Sequence, residues 1–235
     1  MAEPYAGALR DAVAFVFSRF EPIGIVATGT IVRGNPAPAS DLDLYVLHRD
    51  PRRQRLQRRF RGVPAEIFVN PPERVEAYFA EERTAGRPLT AHMLATGFVV
   101  HRSDPVLDRL RARAAAELAD PPRPDARALR TRAYHAASLC EDALDIFETD
   151  PEAAQLLLGQ AVQVALEQRF WAAGRWQPRA KELLSALAEL DPALAEAARA
   201  FVRAADPAER RRIGEQIVAQ AVGETGFFEW ESELA

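Results

Sequence analysis

Two short apolar runs, Ile23-Gly24-Ile25-Val26-Ala27 and Leu44-Tyr45-Val46-Leu47, enclose a segment that begins Gly29-Thr30 and ends Ser40-Asp41-Leu42-Asp43. Runs this short, bounded by Gly, Pro, Asn and Ser, read as strands, so the stretch is strand, loop, strand. Gly34, Asn35, Pro36 and Pro38 keep the loop from becoming helix. Side chains two apart in a strand share a face, so Asp41 and Asp43 present two carboxylates to one side. Neighbouring carboxylates repel unless a cation lies between them, and Mg2+ is the hard cation that suits oxygen donors. Gly29 lets the backbone come close to a ligand, and the hydroxyl and N–H of Thr30 are groups that hold a phosphate oxygen. A phosphate-holding loop beside metal-holding acids points to nucleotide chemistry.

At these residues the chain resembles the polymerase-β-type nucleotidyltransferase superfamily, whose pattern is Gly-Ser or Gly-Thr, a spacer, then Asp-x-Asp between apolar residues. That family carries a third carboxylate on the next strand, and Val63-Pro64-Ala65-Glu66-Ile67-Phe68-Val69 offers Glu66 in that setting. The resemblance implies an α+β fold: a small mixed, antiparallel-containing sheet with flanking helices, followed by an all-α helical bundle. It also implies two Mg2+ ions, with Asp41 and Asp43 bridging both and Glu66 completing the ion on the acceptor side. ATP or another nucleoside triphosphate is the expected donor. Gly29 and Thr30 would hold its β- and γ-phosphates, Ser40 would brace the loop, and Arg33 is a candidate phosphate contact.

A chain of 235 residues, 48% of them hydrophobic, has material for one large domain or two of ordinary size. Its one cysteine, Cys140, excludes an internal disulfide framework and suits a reducing compartment. No apolar run approaches a membrane span and the first residues lack a basic-then-apolar leader, so a cytoplasmic protein without membrane contact is expected. The net charge of −4 exerts no general pull toward nucleic acid. Residues 1–120 carry 17 basic and 15 acidic groups, and residues 121–235 carry 13 and 19. The acidic second half is a poor RNA platform and a plausible host for a cationic substrate.

Along the chain, Leu9, Val13, Val16, Phe17 and Phe20 have helical spacing and predict a first helix with one face on the sheet. After the second strand, residues 50–61 contain six arginines. With Phe60 as the only interleaved aromatic, the run reads as a solvated connector, one arginine of which is a candidate triphosphate contact. Helices are expected from about Glu73 to Glu82 and from Leu89 to Ala95, the latter carrying His92, a packing residue by default. Phe98–His101 is a fourth strand, and Asp104-Pro105 opens a helix to about Leu118. The proline-rich stretch 120–124 divides a catalytic domain, 1–120, from a helical, acceptor-binding domain, 121–235. In the latter, helices are expected over about 126–149, 151–173, 178–190, 192–204 and 207–222. Asp150-Pro151, Asp191-Pro192 and Asp206-Pro207 each place an N-cap acid ahead of a first-turn proline.

The layout resembles that of the small-molecule, kanamycin-nucleotidyltransferase-like members, in which a C-terminal bundle presents acids to the acceptor, one of them a general base. Asp142, with Glu141 and Asp145 beside it, is the candidate here, on a helix whose buried face is expected to be Leu129, Ala133, Ala136, Cys140, Leu144 and Phe147. Trp176-Gln177-Pro178-Arg179-Ala180-Lys181 holds the chain's one lysine against 29 arginines. The segment resembles a Trp-x-Pro-Arg-x-Lys stretch of some bacterial nucleotidyltransferase-like proteins, which makes Lys181 a candidate triphosphate contact. The tail Phe227-Phe228-Glu229-Trp230 is expected to pack on the core. The resulting expectation is transfer of AMP from ATP to a hydroxyl of a small acceptor, an aminoglycoside-like antibiotic among the candidates. The alternatives are a protein-adenylylating antitoxin or regulator, and a nucleotide-binding module without turnover.

Overall fold

The computed structural model describes residues 5–224 and 226–231, and the chain divides into two compact units, 1–120 and 121–235. In the first unit the elements run α1 (Tyr5–Arg19), β1 (Pro22–Thr28), β2 (Leu42–His48), β3 (Gln54–Phe60), β4 (Val63–Asn70), α2 (Pro72–Ala85), α3 (Leu89–Thr96), β5 (Phe98–Arg102) and α4 (Val106–Ala119). The five strands form one sheet in the order β3-β4-β2-β1-β5. The β2–β4 pair is parallel and the other three pairs are antiparallel. Strand alternation divides the core between two faces. Ile25, Ala27, Leu44, Val46, Ile67 and Val69 pack with Ala12 and Val16 of α1. Val26, Tyr45 and Leu47 turn the other way and pack with Val75, Phe79, Leu94 and Leu107 of α2, α3 and α4.

The arginine-rich stretch is a strand and not the connector expected from its composition. Gln54–Phe60 forms β3 at the sheet edge and joins β4 through Arg61 and Gly62, with Phe60 paired to Val63. Both turn residues have positive φ, 50° and 81°, the backbone of a tight two-residue hairpin whose twist matches that of its strands. An edge strand does not need apolar residues on both faces, and arginines there deter pairing with other chains. Leu56 and Phe60 face the α1 side and are partly buried, and the Arg58 guanidinium lies over the Phe15 ring at 4.8 Å.

A second correction concerns α1. Phe17 is 47% exposed and meets the His101 ring edge-on at 5.0 Å, while Ala8, Ala12 and Val16 supply the buried stripe. Helical spacing alone made Phe17 look interior, but small alanines let the helix approach the sheet on a neighbouring stripe.

The second unit contains α5 (Ala126–Asp145), α6 (Pro151–Ala172), a 3-10 turn (Ala180–Glu182), α7 (Leu183–Leu190), α8 (Pro192–Arg203) and α9 (Pro207–Val222). Its core gathers Cys140, Leu158, Ala165, Leu187, Leu194 and Ile217, one or more from each helix. The three Asp-Pro pairs act as caps. The Asp150 carboxylate accepts from Ala153 N, that of Asp191 from Leu194 N, and that of Asp206 from Ala208 N and Glu209 N. Helix α5 is shorter than expected: Phe147 lies beyond its end, under the Arg211 guanidinium at 4.9 Å, and the buried residues are Ala133, Ala136, Ala137, Cys140 and Ala143. The expected helix 178–190 splits into the 3-10 turn and α7. Phe228 packs on Ala133 and Ala137, and Trp230 lies against Tyr134, whereas Phe227 is 84% exposed. Among the described residues, no helix is long and apolar enough to cross a membrane.

Candidate metal and nucleotide site

Three acids converge where β1 ends and β2 and β4 begin. Asp41 directly precedes β2, and the fully buried Leu42, which packs toward α1, separates it from Asp43, so both carboxylates point to the opposite face of the sheet, the side of Tyr45. In the sheet register, Asp43 stands opposite Thr28 on β1 and Glu66 on β4. One carboxylate oxygen from each of Asp41, Asp43 and Glu66 lies within 4.8 Å of the others. All three residues are half-buried. Opposed oxygens around Mg2+ stand roughly 4 Å apart, so small side-chain rotations suffice for these hard donors to ligate such an ion. The donor set fits a magnesium site.

Gly29 is required at the end of β1 for two reasons. Its φ of 91° belongs to the left-handed region, and a Cβ built on it would lie 2.6 Å from Asp43 Oδ2. The loop then folds back on itself, with Arg33 N donating to Gly29 O at 3.2 Å and Asn35 N donating to Thr30 O at 3.0 Å. The Thr30 and Ser40 hydroxyls are 2.7 Å apart, and Ser40 Oγ also accepts from Ala37 N at 2.8 Å. Ser40 thus ties the two ends of the loop together. The Arg33 side chain is exposed on the loop's outer turn.

Glu66 has partners that the sequence reading missed. Arg55 Nε donates to Glu66 Oε1 at 2.6 Å and Gln57 Nε2 donates to the same oxygen at 3.1 Å. Both donors come from β3, where Gln57 is the register partner of Glu66 and Arg55 that of Phe68. The Glu66 side chain is 13% exposed and that of Arg55 65%, so the arginine lies as a lid over the carboxylate, its guanidinium 5.1 Å from the Phe68 ring centre. No donor among the described residues reaches Oε2. The signal for these partners was the Arg61-Gly62 turn, which places a basic strand beside the acidic one.

The remaining expected residues stand elsewhere. His92 is half-buried on α3. In the second unit, Asp142 and Asp145 are exposed on α5 and Glu141 is half-buried. Lys181 is exposed in the 3-10 turn. The segment before it is anchored through Gln177, whose amide, oriented to satisfy its neighbours, accepts from Arg132 Nη1 at 3.1 Å and Trp171 Nε1 at 2.9 Å. The Arg132 guanidinium lies 3.7 Å from the centre of the Trp171 ring, and burial lowers its pKa despite the nearby Glu167.

Among solved structures, the chain is similar to the crystal structure of a nucleotidyltransferase-like protein from Exiguobacterium sibiricum. The TM-score is 0.54 over 92% of this chain and 74% of that one, at 12% identity. The fold is a nucleotidyltransferase fold. No protein-family model matches the sequence, and no curated protein does. On this nucleotidyltransferase fold, the three clustered acids and the Gly29–Ser40 loop occupy one end of the first unit's sheet.

Proposed function

We propose that the chain is a Mg2+-dependent nucleotidyltransferase that moves a nucleoside monophosphate, AMP from ATP, onto a hydroxyl of a small-molecule acceptor. The observation that carries this reading is the convergence of Asp41, Asp43 and Glu66 within 4.8 Å beside the Gly29–Thr30 turn. A cluster of three carboxylates is costly to hold without a cation, and one arginine, Arg55, offsets only part of the charge. Divalent metal bound there supplies Lewis acidity and neutralises charge that builds on the α-phosphate.

The chain's own residues do the rest. Asp41 and Asp43 hold the metal and Glu66 orients the acceptor side. The backbone N–H and hydroxyl of Thr30 hold the β- and γ-phosphates, and Ser40 fixes the Thr30 hydroxyl. As the acceptor oxygen bonds to the α-phosphorus, the α–β bridging bond breaks, pyrophosphate leaves with the electron pair, and the acceptor's proton passes to a carboxylate. Asp142, with Glu141 and Asp145 on the same helix, is the proposed base, Lys181 a proposed phosphate contact, and Arg33 another.

Calorimetric titration of ATP, GTP, CTP and UTP with Mg2+ tests the reading. Metal-dependent binding in the wild type and its loss in Asp41→Asn/Asp43→Asn are expected. Binding that survives the double substitution, or that ignores the metal, overturns the assignment. Asp43→Asn is further expected to abolish turnover while leaving the fold intact.

A further inference from the structure

The face of the sheet that carries the carboxylates continues past them into a cleft. Along β2 the next residue on the side of Asp43 is Tyr45, and along β4 the next on the side of Glu66 is Phe68. These pairs are in register, Asp43 with Glu66 and Tyr45 with Phe68, and β3 adds Gln57 beside the first pair and Arg55 beside the second. The rungs of such a ladder lie roughly 7 Å apart, so the cleft begins one rung from the acids. It has a volume of about 500 Å3, and its lining includes Tyr45, Phe68, Tyr78, Thr90, Met93 and Arg53. That size suits a ring-bearing small molecule.

Three features define what it would hold. The floor is aromatic: the Tyr45 and Phe68 rings are nearly parallel, at 15°, with centres 6.2 Å apart. The Tyr45 residue is 2% exposed, yet its hydroxyl lacks a partner of hydrogen-bonding geometry, although the Thr90 side chain lies close enough to influence it. A buried hydroxyl in this state is costly, and a polar atom of a ligand in the cleft would relieve it. The third feature is charge. Arg55 is committed to Glu66, and both oxygens of Glu82 are committed to Thr90 N at 2.9 and 2.8 Å, capping α3. Arg53 donates to Tyr78 Oη at 2.7 Å and, among the described residues, has no carboxylate partner. Arg53 is therefore the guanidinium at the mouth that is open to an anionic group.

We infer that this cleft anchors the acceptor, and that the acceptor class is a flat aromatic ring bearing an anionic group. The anion meets Arg53, the ring lies against Phe68 and Tyr45, and the hydroxyl to be modified is turned toward Glu66. The role as acceptor pocket rests on the nucleotidyl-transfer reading; the binding of an aromatic anion does not. This differs from the cationic acceptor suggested by the acidic balance of residues 121–235, because an acceptor ring meets the groups that line the cleft.

The test is ligand-observed NMR on the full chain without nucleotide, comparing 4-hydroxybenzoate with tyramine, which has the same ring with a cationic tail, and with cyclohexanecarboxylate, which has the anion without the aromatic ring. Binding of 4-hydroxybenzoate at least about tenfold tighter than either is expected, with about tenfold weakening in Arg53→Gln. Tyr45→Phe is expected to weaken it as well and to melt no lower than wild type, since it removes an unsatisfied hydroxyl. Equal affinity for tyramine, no binding of 4-hydroxybenzoate, or indifference to Arg53→Gln overturns the inference. Calorimetry with Mg2+ and ATP on the same samples separates the two proposals. Nucleotide binding without 4-hydroxybenzoate binding sinks only the cleft; 4-hydroxybenzoate binding without nucleotide binding sinks only the transfer reaction and with it the acceptor role.

Discussion

The missing side chain of Gly29 makes room for the carboxylate of Asp43: a Cβ at Gly29 would stand 2.6 Å from Asp43 Oδ2. The left-handed backbone at Gly29, φ 91°, brings the start of the loop against the strand that carries the acid. One residue thus serves the turn and the position of a metal ligand. Gly29→Ala is expected to destabilise the fold by about 1–3 kcal/mol, from the unfavourable φ and the contact together. Because Asp43 must also move aside, Mg2+ affinity should fall by more than the lost stability alone explains. Chemical denaturation and a Mg2+ titration monitored by calorimetry measure the two effects separately, and an unchanged metal affinity would show that the Asp43 position does not depend on Gly29.

Arg55 and any metal draw on the same carboxylate. Arg55→Gln removes a positive charge next to the acids but also a donor that fixes Glu66. Arg55 is largely exposed and therefore screened, so Mg2+ affinity at low salt should rise only about two- to fivefold. Turnover should fall all the same, because Gln57 alone is left to hold Glu66 in place. A Mg2+ titration at two ionic strengths together with turnover checks the pair of effects, and the affinity gain should shrink as salt is added.

What could be read in the residues and what could not follow from where selection for burial acts. Asp41, Asp43 and Glu66 stand next to residues that must be apolar, Leu42, Leu44, Ala65 and Ile67, all buried, so the alternation of their strands is written in the sequence. Strand β3 carries no such mark. At a sheet edge, Arg58 and Arg59 cost nothing, and the local cue is the positive-φ pair Arg61-Gly62. Partners of Glu66 on that strand were hidden for the same reason. The helix caps were legible because Asp-Pro is a local motif whose hydrogen bonds close within three residues. The break of 178–190 into a turn and a helix was not, because it depends on Gln177 meeting Arg132 and Trp171, side chains distant in sequence.

The caps differ in a way that can be measured. Among the described residues, Asp206 bonds only the first-turn N–H groups of its own helix, whereas Asp191 also accepts from Arg169 Nε of α6 at 3.1 Å and is half-buried. Asp206→Ala should therefore cost about 1 kcal/mol, the usual value for a cap. Asp191→Ala should cost more, about 2 kcal/mol, since it also strands a half-buried guanidinium. Urea denaturation of both variants tests the order, and pairing each with Arg169→Met isolates the ion pair: coupling is expected with Asp191 and none with Asp206.

Glu82 gives the first unit a pH dependence. Burial raises its pKa above the ordinary 4.5, and the N–H groups of Thr90 and Ala91 that it caps only partly counter that. An acid whose pKa is higher folded than unfolded binds more protons in the native state, so stability falls as pH rises. The Glu82 contribution is fully present below about 4.5 and is lost as pH climbs through the raised native value. Glu82→Gln keeps the size of the side chain and cannot titrate. Denaturation of wild type and Glu82→Gln at steps from pH 4 to pH 7 should therefore show the variant gaining relative to wild type as pH rises across that window, until both curves run parallel. A stability difference independent of pH would mean that the capping hydrogen bonds cancel the effect of burial, and a variant that loses ground as pH rises would mean that they outweigh it.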